Sequence, residues 1–226
     1  MATFDIHLFS TAALEGNRGW TPVEKAETYL QEAWNHITGH DANIDVIYDD
    51  VYAPTQQSQE QITDVPHPCL SGAKTDYDNL LSWWLDYVHC EVSSSDTASD
   101  INCLITNAAP NGDIGIGNSI QSDPPVCVSE GGPSLPDLPA YEDHGSDWGG
   151  PFDAMQTVLH ECGHLVLDLD DDKEAGGSRY WNGTYHRTPM YKDTPFNICG
   201  NTVNEADYGD WSMLYSRCFE NYVTKV

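Results

Sequence analysis

The stretch Pro151-Phe152-Asp153-Ala154-Met155-Gln156-Thr157-Val158-Leu159-His160-Glu161-Cys162-Gly163-His164-Leu165-Val166-Leu167-Asp168-Leu169 decides how this chain is read. Phe152, Met155, Val158, Leu159, Cys162, Leu165, Val166 and Leu169 recur at intervals of three and four, the signature of a helix with one apolar face. Pro151 suits its first helical position. Inside it, His160-Glu161-Cys162-Gly163-His164 has the spacing H-E-x-x-H. Positions i and i+4 share a helical face, so both imidazoles can ligate one zinc ion. Glu161 sits beside the first ligand, where its carboxylate can take a proton from a zinc-activated water. Two buried imidazoles beside a buried carboxylate would be costly without a metal or full hydrogen bonding. Cys162 points into the apolar face and is the expected free thiol.

Upstream, Phe4-Asp5-Ile6-His7-Leu8-Phe9 alternates like a half-buried strand. Thr21-Pro22 opens a helix that Gly39 ends. Ile44 to Val51 is a second strand, Asp76 to Cys90 a second helix, and Ile101 to Thr106 a third strand. Gly112 to Gly117 suits an edge strand, and Val126 to Val128 is a fifth. A polar loop fills the space around Pro54, Pro66 and Pro68, and another spans 129–150. The expected fold class is α/β (α+β), a mixed five-stranded sheet with helices. One domain is expected over 1–226. The sheet and helices occupy 1–169, and a largely irregular part follows over 170–226.

The composition narrows the function. Thirty-six acidic residues face nine Lys and Arg, for a formal net charge of −27, and the acids are spread along the whole chain. No basic patch is available to neutralise phosphates, so nucleic acid is excluded as an expected partner. Such a coat repels itself at low salt and is tolerated where salt screens it, which points to a high-salt setting. The low-Lys, high-Asp balance resembles that of proteins from halophilic archaea. No apolar run approaches the ~20 residues of a membrane span. The seven Cys form no C-x-x-C pair, and their dispersal favours disulfides and an extracellular or cell-surface setting, with any secretory leader already removed. Cytoplasmic placement, with all thiols reduced, is the alternative.

The chain resembles a metzincin metallopeptidase. The matching pieces are His160-Glu161-Cys162-Gly163-His164 and the downstream Ser212-Met213-Leu214-Tyr215, which is similar to the Met-turn of that family. The resemblance implies a zinc endopeptidase acting on a peptide or protein substrate. It puts Met213 beneath the metal and Tyr215 where some members stabilise the oxyanion. The family continues its helix with a Gly and then a third ligand. Here Leu167 stands at the Gly position and Asp170 at the ligand position. Leu resists a positive-φ turn, so His186, in Tyr185-His186-Arg187-Thr188-Pro189-Met190, competes with Asp170 for that role. Glu205 is a further alternative. Asp170-Asp171-Asp172 could take calcium, although a solvated acidic run reads as well. Cys199 and Cys218 bracket the Met-turn and could pair. A monomer is expected. The rivals to a peptidase are a catalytically inactive metal-binding protein and a metallohydrolase of a non-peptide substrate.

Overall fold

The computed structural model describes residues 2–37, 39–108, 115–117, 123–135, 151–167, 178–181, 184–190, 208–211 and 214–223, with the backbone alone at 134, 151–153, 178–181, 184–187, 208–211 and 217. Strand β1 (Ala2–Ser10) is the first element of the main sheet. It pairs parallel with β2 (His40–Val46) on one side and with β5 (Ile101–Ile105) on the other. β5 pairs parallel with β7 (Val126–Ser129), and β6 (Gly115–Gly117) closes the sheet antiparallel to β7. The order is β2-β1-β5-β7-β6, a mixed five-stranded sheet as expected. All residues of β5 and β7 are buried, as strands covered on both faces must be.

The alternation of each strand assigns its side chains to two cores. Phe4, Ile6, Leu8, Ile101, Cys103, Ile105 and Cys127 face helices α2 (Thr21–Asn35), α4 (Pro151–His164) and α5 (Arg217–Tyr222). Phe9, Leu104, Val126 and Val128 face α3 (Leu80–Cys90) and the hairpin of β3 (Ile62–Pro66) and β4 (Lys74–Tyr77). Trp34 anchors the first layer and Trp84 the second; each is at most 1% exposed. Trp84 meets Phe9 edge-on at 5.0 Å and donates its Nε1–H to the Asn102 carbonyl at 3.1 Å. Burial of such a side chain stabilises the fold by ~1.5–3 kcal/mol.

Several boundaries differ from the sequence reading. A short helix α1 (Ala12–Arg18) precedes α2, started by Thr11, whose hydroxyl accepts from the Leu14 amide. β2 begins at His40 and ends at Val46; Val51 makes only a bridge to Thr11. The segment from Lys74 to Tyr77 is a strand, and the second helix starts at Leu80 behind an Asn79 cap. After α4 the described residues add further elements. These are β8 (Ser178–Trp181), β9 (Thr184–Arg187) and β10 (Tyr208–Trp211) in a three-stranded sheet, and then α5. Cys69 and Cys90 form a disulfide, and Cys218 is also disulfide-bonded. No helix among the described residues is long and apolar enough to cross a membrane.

The motif helix itself stops early. The apolar period runs on to Leu169, but α4 ends at His164. Val166 and Leu167 donate to the Gly163 and His164 carbonyls in a closing turn, and Leu167 bridges to Val223. Leu165, Val166 and Leu167 are buried by this return of the chain instead of by a longer helix. The turn is made without a positive φ at Leu167, as a branched side chain requires.

Candidate metal centre

Helix α4 lies across β5, β6 and β7 and divides its motif between two faces. His160 and His164, one turn apart, are both partly exposed. Their Nε2 atoms are 3.0 Å apart and the rings stand at 86° to one another. Two ligands at ~2.0–2.1 Å from one ion can subtend that separation. The Pro189 carbonyl oxygen lies 2.9 Å from His160 Nδ1. A carbonyl can only accept, so Nδ1 carries the proton, and in the neutral ring the Nε2 lone pair faces His164. A backbone carbonyl behind a ligating imidazole is the usual outer support of a zinc site. Gln156, one turn before His160, donates to the same carbonyl at 3.0 Å and helps hold it. The donor set and its tautomer therefore fit a zinc ion.

Glu161 is 8% exposed and lies against the edge strand β6. The approach is so close that a Cβ at Gly115 would fall 2.5 Å from Glu161 Oε1, and one at Gly117 3.4 Å from Oε2. Gly115 is needed to clear the carboxylate, whereas a side chain at Gly117 would meet it only at van der Waals contact. Gly163 serves the other side. A Cβ there would meet Met190 Sδ at 2.4 Å, so Met190 packs on the helix backbone between the two histidines. Neither Met190 nor Pro189 stood out in the sequence. Only the glycine inside the H-E-x-x-H hinted that something presses there.

Tyr215 is the clearest departure. Its hydroxyl donates to the Leu159 carbonyl at 2.7 Å, its ring stacks on Phe219 at 4.0 Å, and it is 3% exposed. Burial pushes its pKa up. The phenol is held in the core beneath α4, and the oxyanion role implied by the resemblance is not what this geometry serves. His186 lies on β9, opposite Arg179 of β8, with its side chain outside the described residues. Asp170, Met213 and Glu205 and the acidic run at 170–172 also lie outside them.

The opposite face of α4 holds a feature that the sequence reading missed. Cys162 was expected to be the free thiol, but Cys103 and Cys127 are free as well, and all three are buried. Their Sγ atoms all lie within 4.8 Å of one another. Hydrogen bonds from Cys127 and then Cys162 lower the Cys103 thiol to about 5, while burial pushes Cys127 up. No protein-family model matches the chain, and a search of curated proteins finds no match either.

Proposed function

We propose that the chain is a zinc-dependent peptidase with His160 and His164 as metal ligands and Glu161 as general base. The observation that carries this reading is the convergence of the two Nε2 atoms at 3.0 Å, with His160 fixed in the ligating tautomer by Pro189. A bound zinc would supply Lewis acidity to a coordinated water. Glu161 would accept a proton at a carboxylate oxygen and hand it on to the departing amine. The partial exposure of both histidines leaves that face open to a substrate, while Glu161, only 8% exposed, is kept out of bulk water. Strand β6 lies at the sheet margin, beside Glu161. An extended peptide could add to its outer edge and bring a carbonyl over the ion.

His186 is the favoured third ligand. Three residues after it, Pro189 binds His160, and Thr188, Pro189 and Met190 are all buried against the helix. Three residues span at most ~10 Å, so the backbone of His186 lies within that reach of Pro189, which supports His186 for the role. The test is Glu161→Gln assayed on an unfolded polypeptide at molar salt, with zinc content measured on the same samples. Zinc and fold should be retained, and hydrolysis should fall by ~100-fold or more, since an amide cannot accept the proton. Near-normal turnover would remove Glu161 from the mechanism.

A further inference from the structure

We propose that Cys103, Cys127 and Cys162 form a second metal site, a closed three-sulfur site for a thiophilic monovalent d10 ion such as Cu(I), which fastens the motif helix to the sheet. Three elements supply one sulfur each. Cys103 and Cys127 face each other in register on β5 and β7, and Cys162 descends from α4 above them. All three side chains are fully buried. Around one ion with sulfurs at ~2.3 Å, a trigonal arrangement puts them about 4 Å apart, and the observed limit is 4.8 Å.

The donor set chooses the ion. Soft thiolates select Cu(I) and zinc among available metals. Zinc in a structural site requires four ligands, and among the described residues this group offers three, in a core closed to water. Three-coordination suits Cu(I). Coordination displaces thiol protons, and a singly charged ion offsets the charge of one ionised sulfur, so an apolar core favours one thiolate with the other sulfurs still protonated. A disulfide is the competing use of such neighbours, yet these thiols are free in a chain that pairs Cys69 with Cys90. A closed site of this kind loads as the chain folds.

The test is to refold the full-length His160→Ala/His164→Ala variant without oxygen in the presence of buffered Cu(I). Sulfur-to-copper charge-transfer absorption and the copper X-ray absorption edge are then recorded. Removing the histidines separates this site from the peptidase reading. The expected result is one equivalent of copper with a sulfur-only shell, lost in Cys103→Ala and in Cys127→Ala. Because those variants could fail to fold, the sulfur shell and stoichiometry in the histidine variant decide by themselves. Absence of bound copper, or a nitrogen shell, overturns the proposal. A thiol assay on the untreated, unfolded chain is an independent check. Three reactive thiols fit the proposal; a single one, with a pair oxidised to a disulfide, overturns it.

Discussion

The two faces of helix α4 carry opposite chemistry within five residues. His160 and His164 present nitrogen donors on a partly exposed face, whereas Cys162, about 200° round the helix from either, is buried among two further sulfurs. An open face with borderline donors leaves room for water and substrate, as a reacting metal requires. A closed sulfur face leaves room for neither and can only hold the structure together. An H-E-x-x-H match thus says nothing about its own x positions, although here they decide how the helix is seated. Cys162 faces the sheet, and Gly163 makes way for Met190.

The steepest loss should come from the residue proposed as third ligand. His186→Ala should lower zinc affinity and hydrolysis together and steeply, while Asp170→Ala should change stability by no more than ~0.5 kcal/mol, as a solvated acid usually does. Zinc lost with Asp170→Ala and kept with His186→Ala would reverse the assignment. A smaller effect is expected where the two faces meet, at β6. Gly115→Ala places a methyl against the Glu161 carboxylate, so hydrolysis should fall by up to ~100-fold, as for a displaced catalytic group. Zinc content, read by metal analysis, should stay unchanged; loss of zinc would mean that β6 supports the histidines as well. The mildest change belongs to the buried side. Tyr215→Phe removes the hydrogen bond to Leu159 and should cost about 1 kcal/mol in denaturant unfolding. Its turnover should match the parent's, and a large drop in kcat would return Tyr215 to the chemistry.

The main sheet was legible because β1 alternates and the central strands β5 and β7 are short apolar runs. Phe4, Ile6 and Leu8 against Phe9 gave the two faces of β1, and the five strands expected are the five found. The histidine pair was legible because i, i+4 geometry is local. The end of α4 was not, because Leu165, Val166 and Leu167 are buried whether the helix continues or the chain turns back to Val223. The β3–β4 hairpin was missed because Lys74-Thr75-Asp76-Tyr77 offers one buried side chain, that of Tyr77. The thiol cluster was invisible for a different reason. Each cysteine reads as a small apolar residue in its own element, and only the register of β5 on β7 sets Cys103 beside Cys127.

Whether zinc sits on the histidines is read from the zinc X-ray absorption edge of the full-length protein carrying one equivalent of the metal. The expected spectrum is a nitrogen and oxygen shell at ~2.0–2.1 Å with the outer-shell scattering of imidazole. A sulfur shell at ~2.3 Å would put the zinc among Cys103, Cys127 and Cys162 instead, and would contradict the peptidase reading of His160, Glu161 and His164.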